Sequence, residues 1–235
     1  FSNTTGTHNT ASGYRALLAN TTASYNVATG SYALTDNTSG AKNTAVGYRS
    51  LYLNTTAGQN TAVGAYALLS TTSGSYNTAV GSCALYANTT GPGNTATGYQ
   101  TLKSNTTGAR NTAHGRASLY TNTTGTQNTT SGYRSLFANT TGGQNTASGY
   151  YALKNNTTAS NNAAFGYQAL KANTTGSSNI AFGPNALRDN TTAVANTAVG
   201  TLSLYANTTG SSNASFGMRS LFTNTTGAQN TAVGN

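Results

Sequence analysis

Asparagine returns at every seventeenth residue, at Asn9, Asn26, Asn43, Asn60, Asn77, Asn94 and onward to Asn230, and no insertion or deletion breaks the register. A fixed period of this kind marks a solenoid or array, in which each repeat buries its apolar side only by stacking on its neighbours. When rows are drawn from each Asn and their positions numbered one to seventeen, the fifth is always Gly (Gly47, Gly64, Gly98) and the ninth always Leu (Leu51, Leu68, Leu102). The third is Ala except at Thr130 and Ser215. Full rows cover residues 9–229, with partial rows at 1–8 and 230–235.

Other columns vary freely. Position seven holds Arg15, Tyr32, Cys83 and Ala117, and position ten holds Thr35, Tyr52, Lys103 and Phe137. The constant small or apolar columns therefore read as a repeated interior, and the varied ones as facing solvent or a partner. The whole of 1–235 reads as a single repeat domain. It starts and stops in mid-row, without the polar caps that arrays normally carry, so the expectation is an uncapped segment of a longer fibrous protein.

Seventeen residues are too few for a helical-hairpin repeat, and rows rich in Thr, Val, Tyr and Asn have poor helix propensity. The expected fold is all-β, a parallel β-solenoid of about fourteen coils. In each coil T-A-V-G is expected to form a strand, Gly a turn, Y-x-A-L-Y a second strand, and N-T-T-G the return. Coils stacked at ~4.8 Å would make a rod of roughly 65 Å. Two Asn columns, position one and position twelve (Asn20, Asn37, Asn54 and onward, interrupted by Thr71), would form side-chain amide ladders or bond their own turns.

The interior of each coil is thin, so a second burial surface is expected. Position four (Val46, Val63, Val80, Phe165, Phe182, Phe216) and position six (Tyr14, Tyr48, Tyr99, Tyr133, Tyr150, Tyr167) are the candidates for an interface around an axis. The competing reading has position four completing the core of the single chain.

At N-T-A-V-G the repeat resembles the head repeats of trimeric autotransporter adhesins and related phage or viral tail-fibre repeats. The resemblance covers every row, from Asn9-Thr10-Ala11-Ser12-Gly13 to Asn230-Thr231-Ala232-Val233-Gly234. It implies a left-handed β-roll, a homotrimer, and display on a cell or virion surface. Those adhesin heads usually repeat at about fourteen residues, and the additional residues here fall in the Y-x-A-L-x-x-N-T-T-G half. Trimer contacts made there do not carry over. The functional expectation is a stiff extracellular stalk or head segment for attachment or display, partnered by itself as a homotrimer or an end-to-end filament.

Charged residues are only 6% of the chain, yet its formal net charge is +9, because Asp36 and Asp189 are its only acidic side chains. Lys103, Lys154, Lys171 and Arg188 share column ten, and Arg15, Arg49, Arg134 and Arg219 share column seven. Such a stripe could meet surface glycans or other anionic surfaces. Scattered solubilising charge is the plainer reading, and no nucleic-acid partner is expected. The sequence has no apolar run long enough to span a membrane.

A periodic chain is poorly suited to building one unique catalytic constellation. His8 and His114 stand in different columns, and no carboxylate pair, metal-ligand cluster or activated nucleophile emerges. No enzyme activity, cofactor or metal is expected. Two alternatives remain. Thr ladders at positions two, thirteen and fourteen suit an ice-binding face, with a resemblance to the β-roll repeats of plant ice-binding proteins. The N-T-T turns are N-glycosylation sequons, at Asn20, Asn54, Asn88, Asn105, Asn122, Asn139, Asn173, Asn207 and Asn224, which in a eukaryotic secreted protein would coat a filament with glycans. Glycans one coil apart would crowd severely unless that column faces outward.

Overall fold

The computed structural model describes residues 2–234. They fall into two compact units, one running to Ala117 and including Asn122–Thr124, the other made of Ser118–Thr121 and the residues from Gly125 on. The first unit carries β1 (Thr10–Ser12), β2 (Val27–Thr29), β3 (Thr44–Val46), β4 (Thr61–Val63), β5 (Thr78–Val80), β6 (Thr95–Thr97) and β7 (Thr112–His114). The second carries β8 (Thr129–Ser131), β9 (Thr146–Ser148), β10 (Ala163–Phe165), β11 (Ile180–Phe182), β12 (Thr197–Val199), β13 (Ala214–Phe216) and β14 (Thr231–Val233).

Within each unit every strand pairs in parallel with the next in sequence, always seventeen residues on: Ala45 opposite Ala62 in the first, Ala164 opposite Ala181 in the second. The fold is thus an all-β parallel solenoid with one row per coil. The central residue of each strand points inward, and at β3, β4, β5 and β6 the central Ala is fully buried. Its two neighbours point outward, as the two-residue side-chain period of a strand requires.

The expected second strand does not form. Residues 48–53, and their equivalents in other coils, are a run of turns. The reason lies in two backbone angles: position seven and position nine adopt positive φ in every full row, 53° at Arg49 and 49° at Leu51. An extended strand cannot contain such residues. The main chain is satisfied without one: Arg49 N–H donates to Ser31 of the preceding coil (3.0 Å) and Leu51 N–H to Ala67 of the following coil (3.0 Å). Between them, Ser50 N–H folds back onto Gly47 (3.3 Å) and Asn54 N–H onto Leu51 (3.2 Å). A left-handed non-glycine residue costs roughly 1–2 kcal/mol, similar to the roughly 2 kcal/mol gained by burying a Leu side chain. Position nine is therefore held by its neighbours' hydrogen bonds, not by local preference.

From Leu51 the chain buries every third residue: Leu51, Asn54, Ala57 and Asn60, each at most 1% exposed. The leucine of position nine, the asparagine of position twelve, the small residue of position fifteen and the asparagine that opens the next row thus line the interior, together with the strand Ala and the small residue of position eight. The two exceptions to Ala at position three are compensated at position eight. The Thr130 hydroxyl pairs with Ser118 (2.6 Å), which also meets Ser135 (2.8 Å), and Ser215 pairs with Ser203 (2.7 Å). A buried hydroxyl without a partner would cost about 1–3 kcal/mol, so the polar substitutions come in sets.

Candidate functional site

The constant residues are structural, and each has an identifiable task. Asn43 accepts the N–H of Asn60 on Oδ1 (3.0 Å) and donates from Nδ2 to the Ala57 carbonyl (2.9 Å), closing its own coil across fourteen residues. Asn60 and Asn94 repeat the pattern, donating to Gly74 (3.0 Å) and Gly108 (2.9 Å). Position one therefore pins side chain to backbone, with amide-to-amide contacts in some rows only, such as Asn94 to Asn77 at 3.2 Å.

The pure amide ladder is at position twelve. Asn54 Nδ2 donates to Asn37 Oδ1 (2.7 Å) and to its own turn at Ala57, three residues on (3.0 Å). In the second unit Asn156, Asn173, Asn190, Asn207 and Asn224 continue the same pattern. Leu51, Leu68 and Leu102 are fully buried. Gly47, Gly64 and Gly98 sit at φ of 128°, 130° and 125°, each against the glycine one coil on.

The sequon asparagines Asn20, Asn54, Asn88, Asn105, Asn122, Asn139, Asn173 and Asn207 are all at most 1% exposed, and Asn224 is part-buried with its amide in the same ladder. Their carboxamide groups lie inside the coil, so the closed coil has no room for a glycan at any of them. The threonines that follow at position thirteen are also committed, as Thr55 Oγ1 donates to the Thr72 carbonyl of the next coil (3.2 Å). Of the three Thr columns, only position two lies on a regular outward strand face, with Thr44, Thr61, Thr78, Thr95 and Thr112 in parallel register.

Beyond these threonines, the surface available for contact lies in the varied columns. Position four does not complete the core: Val63, Val80, Phe182 and Phe216 are all exposed, Phe182 at 57%. At position six Tyr14, Tyr48, Tyr99, Tyr150 and Tyr167 are exposed as well. Positions six, seven and ten form an aromatic and cationic file. In the first unit the Arg49 guanidinium lies over the rings of Tyr32, Tyr48 and Tyr52 at 5.3–5.4 Å, and its buried Nε has no hydrogen-bond acceptor. In the second unit Arg134 stands likewise over Tyr133 (5.4 Å) and Phe137 (5.0 Å), and Lys154 over Tyr151 (4.6 Å). Contacts of this kind contribute roughly 0.5–2 kcal/mol each, so these cations brace the turn side of the coil while leaving their charge unneutralised.

The two carboxylates do little to offset that charge. Asp189 meets Arg188 Nε at 3.3 Å, and partial burial pushes the Asp36 carboxyl above its usual range. No group of three or more His, Cys, Asp or Glu able to hold a metal occurs among the described residues, and none of their helices is long and apolar enough to cross a membrane. His114 meets the Thr97 hydroxyl of the preceding coil, and His8 stacks on Tyr25 at 4.8 Å. Sequence reasoning missed the aromatic bracing, although its signal was present: Tyr, Phe, Arg and Lys dominate columns six, seven and ten.

No protein-family model matches the chain, and neither a curated protein nor a solved structure shows significant similarity to it. The coil geometry itself defines the class, a parallel β-solenoid repeat protein whose constant Asn, Gly and Leu columns hold the fold.

Proposed function

We propose that this chain is a structural segment of an extracellular fibre, the stalk or head of an adhesin or tail fibre, that assembles as a homotrimer and serves surface attachment or display. The observation that supports this reading most directly is the outward Val and Phe column at position four. Val46, Val63 and Val80 run in register along consecutive strands of the first unit, and Phe165, Phe182, Val199 and Phe216 along those of the second. An ordered row of apolar side chains on a sheet face gains from being covered, and threefold closure would cover it identically on every chain. Light scattering on the chain tests the reading. A particle of three chain masses is the expected result, and a monomer at micromolar concentration would overturn it.

A second reading has its own observation. The position-two threonines stand in register on the outward strand face, so an ice-binding role would use that column and not the turn threonines. Thermal hysteresis and recrystallisation assays separate the two readings, since a fibre segment is expected to be inert in both.

A further inference from the structure

The second unit carries a strip in which hydrogen-bond donors and positive charge stand beside a short stack of tyrosine rings. Tyr133, Tyr150 and Tyr167 stand in consecutive coils with centroids 5.4 and 5.5 Å apart and ring planes within 19° and 9° of parallel. Each ring therefore covers the face that its neighbour turns to it, while Tyr150 and Tyr167 remain exposed. Tyr151 joins from the adjacent column, 4.1 Å from Tyr150.

Tyr167 accepts a hydrogen bond from Gln168 Nε2 at 2.9 Å, which leaves its own proton to donate outward. The neighbouring Tyr150 hydroxyl, followed by the Arg134 and Lys154 charges, holds the Tyr151 hydroxyl below the usual tyrosine range, while that of Tyr150 is raised. A phenol whose oxygen already accepts, as that of Tyr167 does, presents its proton to a ligand. Lys154 and Lys171 occupy the same column in adjacent coils, one coil step of ~4.8 Å apart along the stack. Neither forms an ion pair with a carboxylate among the described residues, where Asp189 is paired with Arg188.

We infer that the strip formed by Arg134, Tyr151, Lys154, Tyr167 and Lys171 binds a linear carboxylated polysaccharide, a polyuronate, laid along the direction in which the coils stack. A 1,4-linked uronate chain presents one carboxylate per sugar, turned about the chain axis from one sugar to the next, so the carboxylates on its protein side can meet the lysine column while phenol protons meet ring oxygens and hydroxyls. Single-stranded nucleic acid is the other linear polyanion to consider. It is usually gripped by bases stacking on open aromatic faces, and here the faces between Tyr133, Tyr150 and Tyr167 are taken by one another. The inference names the ligand chemistry for the attachment role proposed above and rests on it.

The test is binding of the full chain to polygalacturonate, measured by calorimetry at moderate salt, beside the methyl-esterified polymer and a single-stranded DNA oligomer. Polygalacturonate is expected to bind and the esterified polymer not to. Lys154→Gln with Lys171→Gln should weaken binding by about tenfold, whereas Lys42→Gln with Arg110→Gln, equal in charge loss but in column seventeen of the first unit, should change it by less than about threefold. Tyr167→Phe, which removes one donor and no charge, should weaken it by about threefold. Equal losses in the two double variants, equal binding of the esterified polymer, or tighter binding of DNA would each overturn the inference. Scattering mass on the same samples keeps the two proposals apart: a trimer that ignores polygalacturonate sinks the strip alone, and a monomer that binds it sinks the assembly alone.

Discussion

Asn54 Nδ2 donates to Asn37 Oδ1 at 2.7 Å, while Asn54's own Oδ1 is buried without a partner because the next residue in the column is Thr71. The Thr71 hydroxyl turns instead to the Asn88 carbonyl at 3.2 Å, and Asn88 Nδ2 is left with only its own turn at Gly91. One substitution has interrupted an amide ladder on both sides.

Thr71→Asn is therefore expected to stabilise the chain. It supplies a donor for Asn54 Oδ1 and an acceptor for Asn88 Nδ2, at the loss of one hydroxyl hydrogen bond. A gain of about 1–2 kcal/mol, or a few degrees in Tm, should appear in thermal or denaturant melts. An unchanged or lowered Tm would mean that the gap in the ladder is already closed by water or relaxation.

At position nine, burial and backbone strain pull in opposite directions. Leu102 is fully buried at φ 52°, so Leu102→Ala should cost about 2–5 kcal/mol through lost packing and the cavity left behind. Leu102→Gly removes one more methyl group but relieves roughly 1–2 kcal/mol of left-handed strain. The Gly variant should melt no lower than the Ala variant, the reverse of the order expected in an ordinary strand or helix. Leu102→Asn and Leu119→Asn, which bury an amide in the same apolar column, should locally unwind the coil and lower Tm further.

Position five should tolerate no side chain. A Cβ on Gly47 would stand 2.7 Å from the Gly64 carbonyl carbon of the next coil, and the residue sits at φ 128°. The obstacle is main chain and cannot swing aside. Gly47→Ala is expected to cost at least about 3 kcal/mol, and circular dichroism melts that matched the parent would refute the close coil contact.

The Asp36 carboxyl titrates above the usual aspartate value because partial burial disfavours its charged form. For an acid whose folded pKa is raised, the folded state holds the proton more tightly, so stability falls as pH rises from the unfolded value through the folded one and stays lowered above it. Asp36→Asn should thus raise Tm at pH 7 and leave it unchanged near pH 3. Loss of its attraction to distant cations acts the other way but is screened at 0.15 M salt, so the comparison belongs at that ionic strength.

Much of the coil was legible in the sequence. The invariant Asn, Gly and Leu columns and the nearly constant Ala column gave the interior, the β class and one coil per seventeen residues, and the T-A-V segment gave the strand. The Y-x-A-L-Y segment misled because Tyr and Leu are equally at home in strands, and nothing local announces that Arg49 and Leu51 will take left-handed backbone angles. Those angles are imposed by hydrogen bonds to the coils on either side. The same limit hid the inward turn of the sequon Asn column, since N-T-T is read equally well as an exposed turn until the carboxamide is seen bonding Ala57 and Asn37.

The sequence alone determined the period, the identity of the buried columns and the excess of cations over carboxylates, because each is a property of residue type and spacing. Tertiary structure decided which way the remaining columns face: valine and phenylalanine at position four outward, the position-twelve amides inward, and Tyr133, Tyr150 and Tyr167 face to face in consecutive coils. Those choices depend on coils lying one above another at hydrogen-bonding distance, and a residue cannot register a neighbour seventeen positions away until the chain has stacked.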